Sequence, residues 1–282
     1  MNHLPVTNEL QSIAQGLESA RQPRLDPQAP VLGRMGNLQT RLARCASEIE
    51  EAQRLRSLVF GGNGATLDAD AWDNVCEHLL VIDEAGKRIV GTYRLFASSD
   101  SAVSGQPFYT AQEFSIGPLM ERHRGLEFME LGRSCVLPEY RTKRTLELMW
   151  HGVWAHVLAR GVDVLIGCAS FPGTDPQAFA ETLSFLHHFA PPLDGWQVRA
   201  CAAETSPTAL VAAQEINAKR ALHSLPPLIK GYLRLGARFS QEAAIDRAFG
   251  TTDVLVILPV AGINPRYVEH YGADARRYAA GS

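Results

Sequence analysis

Apolar residues in the first hundred positions follow the patterns of strands and of one helix. Residues 38–42 alternate between apolar and polar side chains, which favours a β-strand. The pattern Ser47-Glu-Ile-Glu50 is typical of a helix start, because the two side chains can satisfy free backbone N–H groups, and it predicts a helix to about residue 58. Two further strands, 78–83 and 89–97, are joined by a short turn and predict a β-hairpin.

The middle of the chain predicts a strand, a long helix and a second strand. An apolar run of strand-forming residues fills 128–136. Residues 146–158 carry apolar side chains at intervals of three and four, the spacing of an amphipathic helix. A buried strand follows at 162–169. Since a strand, helix and strand in this order join parallel strands, we expect 131–136 and 164–168 to lie parallel.

The remaining segments predict a leader, a long loop and several shorter elements. Residues 1–36 hold four prolines and are predicted to be a flexible N-terminal leader, so that one domain spans 37–282 with an insertion at about 171–224. Residues 98–125 show no period and predict an irregular loop. Further helices are predicted at 176–189, 225–236 and 263–271, and a last strand at 253–260.

Composition and charge exclude several classes of protein. With 46% hydrophobic and 20% charged residues, the 282-residue chain can bury a large core. A net charge of −3 argues against a nucleic-acid partner, which needs a basic surface. Five cysteines without a Cys-x-x-Cys pair argue against a disulfide framework and a metal site, and predict a cytoplasmic protein. No apolar run reaches 18 residues, so membrane contact would be peripheral, at the inner face of the inner membrane.

The candidate chemistry lies where the central strand meets a basic turn and the long helix. Glu130 and Arg133 interrupt an apolar strand, and buried ionisable groups are costly unless they are paired or used in chemistry. Strict alternation puts the two side chains on opposite faces of the sheet, whereas a β-bulge at Gly132 would bring both to one cleft. The first turn of the following helix can bind anions through its free N–H groups. The alternative is a structural ion-pair network.

Several short motifs are spread over the chain. They read Ala52-Gln-Arg-Leu-Arg56 with Val59-Phe60, Cys76-Glu-His-Leu-Leu-Val81, Val90-Gly-Thr-Tyr-Arg-Leu95, Phe108-Tyr109 with Glu113-Phe114, Glu130-Leu-Gly-Arg-Ser-Cys135, Gly167-Cys-Ala-Ser170 and Lys230-Gly-Tyr-Leu-Arg-Leu235. With the order of elements, they closely resemble the bacterial L-ornithine N-alpha-acyltransferases of the GNAT superfamily, and they are similar to acyl-homoserine-lactone synthases. The resemblance implies an α/β (α+β) fold of three layers: a mixed, mostly antiparallel sheet with a splayed parallel strand pair, and flanking helices.

The resemblance also implies an activity. Such an enzyme moves a 3-hydroxyacyl chain from acyl carrier protein to the α-amine of L-ornithine and forms lyso-ornithine lipid, the first step of ornithine-lipid biosynthesis. The co-substrate would be the 4′-phosphopantetheine thioester of the carrier, with no tightly bound cofactor. Two alternatives stay open: a carrier-dependent synthase of N-acyl amino acid or acyl-homoserine-lactone signals, and a non-catalytic module that binds acyl carrier or a membrane surface.

Residue roles follow when the chemistry of thioester aminolysis is placed on the motif positions. Catalytic roles fall to Glu130 as base, to Arg133, and to the backbone around Ser134 and Cys135 as oxyanion donor, with the Cys135 thiol as an alternative nucleophile. Substrate binding falls to Arg56 and Arg94 for a carboxylate or acyl hydroxyl, to Asp68, Asp70 and Asp73 for the δ-ammonium, and to Glu113 and Ser170. Carrier docking falls to Arg122, Arg124, Arg141, Lys143, Arg144 and Thr145.

Two segments depart from the patterns of these families. The acetyltransferase pyrophosphate loop usually reads Arg-x-x-Gly-x-Gly/Ala, whereas here Arg141 is followed by Arg144 and Leu146. A side chain at Arg144 narrows the approach of a pyrophosphate, which argues against acetyl-CoA and suits the single phosphate of a carrier-bound pantetheine. Gly61-Gly-Asn-Gly64 stands where the acyltransferases commonly have an acidic pair, so any role of that pair must lie elsewhere.

Overall fold

The computed structural model describes residues 25–263, 266–267 and 269, and these residues form one nine-stranded mixed sheet. The strands are, in chain order, β1 (Val31–Met35), β2 (Leu38–Leu42), β3 (Glu77–Asp83), β4 (Arg88–Ala97), β5 (Phe128–Val136), β6 (Val164–Pro172), β7 (Thr205–Pro207), β8 (Arg238–Asp246) and β9 (Thr251–Pro259). Across the sheet they follow the order β1-β2-β3-β4-β5-β6-β9-β8-β7. Most of the predicted leader and of the predicted helix at 263–271 lies outside the described residues.

The pairing of β5 with β6 is parallel, while the other described strand pairs are antiparallel. β5 and β6 pair only from Phe128 with Val164 to Glu130 with Ile166. β6 then continues on its other side, where it pairs with β9 as far as Pro172. The two parallel strands therefore separate after Glu130, and the predicted splayed pair is confirmed.

Helices cover both faces of the sheet. Those that the structure describes are α1 (Ala46–Val59), α2 (Ser98–Ser104), α3 (Gly117–Arg122), α4 (Lys143–Arg160), α5 (Ala180–Phe189), α6 (Ala218–Ser224) and α7 (Pro227–Leu235). α4 packs on β1 to β3 and α1 on β4 and β5. Leu79 belongs to the core beneath α4 and Leu80 to the core beneath α1, because successive side chains of a strand point to opposite faces. This is the predicted three-layer fold.

The structure differs from the expected elements in several places, and it also contains β7 and α6, which were not expected. Residues 31–35, assigned to the leader, form β1, which is held by β2 and by a contact of 2.9 Å between His151 Nε2 on α4 and the Leu32 carbonyl oxygen. The segment 98–125, expected to be irregular, contains α2 and α3. β8 was not expected, because a shift of register between Phe239 and Ala243 interrupts its alternation. None of the helices described is long and apolar enough to span a lipid bilayer.

Candidate functional site

A cavity of about 550 Å³ opens where β5 and β6 separate. Residues from both faces of the sheet line it. One face contributes Arg94, Tyr109, Glu113, Glu130, Arg133, Ser170, Asp246, Phe249 and Asp253. The other face contributes Tyr93, Ser134, Leu228 and Tyr232. Gly167 keeps the strands close just beyond their last paired residues, since a Cβ atom there would lie 2.4 Å from the Leu131 carbonyl oxygen. The cavity therefore passes through the sheet rather than lying on it.

A β-bulge in β5 directs the ionisable side chains of this strand towards the cavity. Arg94 of β4 pairs with Gly132 and Thr92 with Cys135, so one residue of β4 faces two of β5, Arg133 and Ser134. The expected bulge is present, but the left-handed residue is Arg133, with a φ of 49°, and not Gly132. Such a conformation costs about 1–3 kcal/mol in a residue other than glycine. Its result is that Glu130 and Arg133 both line the cavity.

Aromatic rings and an aspartate hold the Arg133 side chain. Its guanidinium lies 4.7 Å from the centre of the Tyr109 ring and 4.8 Å from that of Phe249, distances at which a cation is attracted to a ring face. Arg133 Nη2 also donates to Asp70 Oδ2 at 3.3 Å. These contacts fix the strained residue at the cavity wall.

Glu130 is buried and anchors a short turn on the other side of the cavity. Its Oε2 accepts a hydrogen bond from the Tyr109 N–H at 2.8 Å, and its Oε1 accepts one from the Thr110 N–H at 2.6 Å. Burial raises the pKa of Glu130, although these bonds and the charge of Arg94 oppose the rise. A carboxylate has about four lone-pair sites, so each oxygen keeps capacity for a further partner. Glu130 thus serves structure and remains available to a bound group.

A buried charge network lies beside the cavity. Arg56 donates to both oxygens of Asp73, at 2.8 and 2.7 Å. Arg94 Nη1 donates to Asp70 Oδ1 at 2.6 Å and lies 3.4 Å from Asp73 Oδ1. Burial by itself raises the pKa of Asp73, but the hydrogen bond and charge of Arg56 outweigh it and hold that pKa below its ordinary value. Asp73 is therefore an ionised structural partner of the two arginines.

This network corrects the expected ammonium site at Asp68, Asp70 and Asp73. Asp68 Oδ2 lies 3.7 Å from Arg56 Nε and 3.6 Å from Arg133 Nε, and the other two aspartates contact arginines directly. Three guanidinium groups therefore neutralise three carboxylates, and little negative charge is left to attract a ligand. Arg56 and Arg94 were both expected to bind the substrate. Arg56 is fully buried and holds Asp73, whereas Arg94 lines the cavity.

Three other carboxylates share the cavity, and one of them, Glu113, is a sequence-predicted substrate-binding residue. Glu113 follows the 3-10 turn that Glu130 anchors, Asp246 ends β8, and Asp253 lies near the start of β9. One oxygen of each lies within 4.8 Å of the others. Burial, with the nearby charge of Asp253, raises the pKa of Glu113 to about 7, and burial also raises the pKa of Asp253. The sequence gives no signal for Asp246, because the interrupted alternation of β8 does not predict a strand there.

The remaining catalytic and substrate candidates divide into two groups. Ser134 and Ser170 line the cavity, with Ser134 close to the buried Tyr93 hydroxyl and Ser170 paired with Asp253 across β6 and β9. Cys135 lies instead in the core beneath α1, and burial raises the pKa of its thiol to about 12. A thiol so buried is a poor nucleophile, so the structure leaves Cys135 only a backbone role.

The six docking candidates do not form one surface. Arg141, Lys143, Arg144 and Thr145 lie at the start of α4, where Arg141 Nε donates to the Val136 carbonyl oxygen at 3.1 Å and the Thr145 N–H donates to the Thr142 hydroxyl at 3.2 Å. Arg122, at the end of α3, donates to the carbonyl oxygens of Gly195 and Gln197, and Arg124 pairs with Glu121. The core beside α3 lies on the face of the sheet opposite α4, which separates the two groups.

Comparisons with known proteins agree with this architecture. Residues 56–151 match the acetyltransferase (GNAT) domain. The chain is 49% identical over 269 residues to the L-ornithine N(alpha)-acyltransferase of Rhizobium meliloti (strain 1021), covering 90% of each protein. It is 48% identical over 262 residues to the protein of the same name from Agrobacterium fabrum (strain C58), covering 88% of this chain and 89% of that protein.

Among solved structures, an N-acyl amino acid synthase from uncultured soil microbes aligns with a TM-score of 0.41 at 10% identity, covering 79% of this chain and 91% of the other. The GNAT domain match confirms the expected fold. Close to half of the residues are shared with the two bacterial relatives over about nine tenths of the chain. The predicted family is therefore confirmed: the chain belongs to the L-ornithine N(alpha)-acyltransferase family.

Proposed function

We propose that this protein is an N-acyltransferase that moves a 3-hydroxyacyl chain from acyl carrier protein to the α-amine of L-ornithine and releases lyso-ornithine lipid. The names of its relatives support the acceptor and the type of reaction. The observation that carries the proposal is the cavity that crosses the sheet where β5 and β6 separate. A thioester arm can enter from one face and an amine from the other, so that the two reactants meet between the strands.

The reaction is the aminolysis of a thioester. The neutral α-amine attacks the acyl carbon, the C–N bond forms, the C–S bond breaks, and the proton lost by nitrogen ends on the released thiol. Glu130 is the proposed base, because it lies in the cavity wall and burial raises its pKa, which makes it a stronger base than an exposed carboxylate. A proton can pass from the amine to Glu130 directly or through one water, and then to the thiolate.

Backbone groups of β5 supply the proposed oxyanion donors. Pairing with β6 stops at Glu130, so the N–H groups on that edge of β5 beyond this residue face the cavity instead of a neighbouring strand. The bulge at Arg133 and Ser134 displaces this edge further. Fixed N–H donors in a site that excludes water stabilise the charge that develops on the acyl oxygen. Arg94 and Arg133, which both line the cavity, are the proposed partners of the acceptor carboxylate.

The proposed donor is acylated carrier protein rather than an acyl-CoA. Lys143 and Arg144 open α4 and place positive charge at the helix start, where free N–H groups also attract a phosphate. Arg144 lies over Gly36 and puts a long side chain where acetyltransferases usually have a small residue. Acyl carrier proteins are acidic, so charge attraction between the two surfaces can bring them together.

The test follows the thiol that the reaction releases. The purified protein is mixed with a 3-hydroxyacyl carrier protein, or with the matching acyl-CoA, and with L-ornithine, other amino acids or S-adenosylmethionine in turn. We expect thiol release to require ornithine, to be faster with the carrier than with CoA, and to give an α-N-acylornithine by mass spectrometry. An acyl-homoserine lactone as product, or no thiol release with any acceptor, would refute the proposal.

A further inference from the structure

We propose that Glu113, Asp246 and Asp253 bind the side-chain ammonium group of the acceptor amino acid and select acceptors with a second amine. This assignment rests on the proposed function and adds a specificity site to it. It also replaces the expected site at the three aspartates that arginines neutralise.

The sheet register brings the acidic group to the face that carries Glu130. Glu130 pairs with Ile166, and Ser170, four residues further along β6, is on the same face because side chains alternate. Ser170 pairs with Asp253, and Asp253 pairs with Ala244, two residues before Asp246. The carboxylates of β8 and β9 therefore extend the face on which Glu130 and Ser170 already line the cavity.

Glu113 joins them from the turn that Glu130 anchors. The Thr110 N–H donates to Glu130, and the Glu113 N–H donates in turn to the Thr110 carbonyl oxygen at 3.1 Å. The Cys201 N–H holds the other side of Glu113 by donating to its carbonyl oxygen at 2.7 Å. Glu130, the proposed base at the α-amine, therefore also fixes the backbone of Glu113, which is proposed to bind the side-chain amine.

The charge of this group is not compensated within the part of the chain that the structure describes. Asp253 is 4% exposed, and its neighbours Ser170, Thr251 and Glu113 carry no positive charge. Asp253 Oδ1 and Glu113 Oε2 are both buried without a hydrogen bond of normal geometry. No arginine, lysine or histidine nitrogen among the described residues lies within 4.0 Å of the three carboxylates. Buried acceptors without partners are costly to maintain, and a donor from a ligand would satisfy them.

A primary ammonium matches this arrangement better than a metal ion does. Its three N–H donors equal the number of carboxylates, and its single charge suits a site in which burial favours some protonation. Calcium takes six to eight oxygen ligands, and magnesium demands a near-ideal octahedron. Asp246 Oδ1 already accepts the N–H groups of Ala248 and Phe249, which leaves fewer oxygens for a metal. The group therefore fits the end of a diamino acid side chain.

The experiment compares L-ornithine with L-norvaline, whose side chain has the same three carbons and no amine. We measure kcat/KM for both acceptors with one acyl thioester donor in the wild type, Glu113→Gln and Asp253→Asn. Exposed Asp194→Asn serves as the matched control. Loss of one charged hydrogen bond should lower the preference for ornithine over norvaline by about 10–100-fold, mainly through the KM for ornithine. The control should keep the wild-type preference.

Two outcomes would overturn the assignment. One is an unchanged preference while both acceptors react more slowly, because the carboxylates would then act on the chemistry or on folding. The other is calorimetric binding of Ca²⁺ or Mg²⁺ that Asp253→Asn abolishes, combined with loss of activity in chelator, because the group would then be a metal site. Circular dichroism and thermal melts confirm that each variant is folded before its kinetics are compared.

The assignment can be tested even if the proposed function fails. A wild-type protein that acylates neither amino acid refutes the acyl transfer to ornithine. Calorimetric titration with ornithine and with norvaline then tests the carboxylates directly. Ornithine binding that Asp253→Asn weakens at least tenfold, with no binding of norvaline to the wild type, supports the ammonium site. Equal binding of the two amino acids rejects it.

Discussion

Replacing Glu113 by Gln should change how the stability of the ligand-free protein depends on pH. The pKa of Glu113 lies at about 7 in the folded protein and at about 4.5 as its ordinary value, chiefly because of burial and then because of Asp253. Asp246 and Cys168 face the same carboxyl group. Between these two pH values the folded chain holds a proton that the unfolded chain has lost. The contribution of this proton to stability is therefore fully present below about pH 4.5 and is lost as the pH rises to about 7.

The interval from 4.5 to about 7 sets the size of the effect. At about 1.4 kcal/mol for each pH unit, it corresponds to at most about 3.5 kcal/mol of unfolding free energy. In a chain of this length each kcal/mol moves the melting temperature by about 2–4 °C, so the fall should be at most about 7–14 °C. Glutamine has the charge of the protonated acid at every pH. Glu113→Gln should therefore equal the wild type near pH 4.5 and exceed its stability at pH 8.

The assay is thermal unfolding in buffers from pH 4.5 to pH 8 at constant ionic strength, followed by circular dichroism. Glu215→Gln, an exposed substitution of the same kind in a 3-10 turn, is the control and should follow the wild type. Other groups also titrate in this range, so the measured quantity is the difference between Glu113→Gln and the wild type. Parallel curves for these two proteins would refute the account of the buried carboxylate.

Further predictions concern the base, the buried network, the strand separation and the carrier. Glu130→Gln should lower kcat about 100-fold in steady-state assays, and a normal kcat would exclude Glu130 as the base. The same substitution leaves one backbone N–H without its acceptor, so it should lower the free energy of unfolding in urea by about 1–3 kcal/mol. Asp73→Asn should cost about 3–5 kcal/mol, because Arg56 loses its buried partner, whereas a cost below 1 kcal/mol would contradict the network. Gly167→Ala should destabilise the protein by about 1–3 kcal/mol, since its Cβ meets the Leu131 backbone, and a neutral effect would argue against the close approach. Raising the salt concentration should slow the reaction with acyl carrier more than the reaction with acyl-CoA, and equal slowing would contradict electrostatic docking.

Periodicity was sufficient for the elements whose burial pattern is uninterrupted. The β3–β4 hairpin, α4 and the parallel pair β5 and β6 have regular spacing in the sequence, and all of them form. β8 has a bulge near Ser240 to Glu242, and its apolar positions do not alternate. β1 is only five residues long, contains Gly33 and is followed by Gly36. Such strands depend on partners that a local pattern does not reveal.

The candidate site was predictable only in part, for a related reason. The sequence places Glu130, Arg133 and the bulge between them in one strand, and the structure brings both side chains to the cavity. The aspartates at 68, 70 and 73 are close in sequence, but the arginines that neutralise them come from α1, β4 and β5. Charge compensation is a long-range property, so an acidic run alone does not identify a cation site.

The contrast between the two acidic groups explains how one cavity can combine stability with selectivity. Asp73 is paired with Arg56 and Arg94, and this neutral network holds α1, β4 and the segment before β3 together. Asp253 and Glu113 have no such partner among the described residues, and keeping their charge buried lowers the stability of the empty protein. A ligand that supplies the missing positive charge recovers this energy when it binds. An acceptor without a second amine leaves the carboxylates unpaired, so it binds more weakly than ornithine by the free energy that the missing contact would supply.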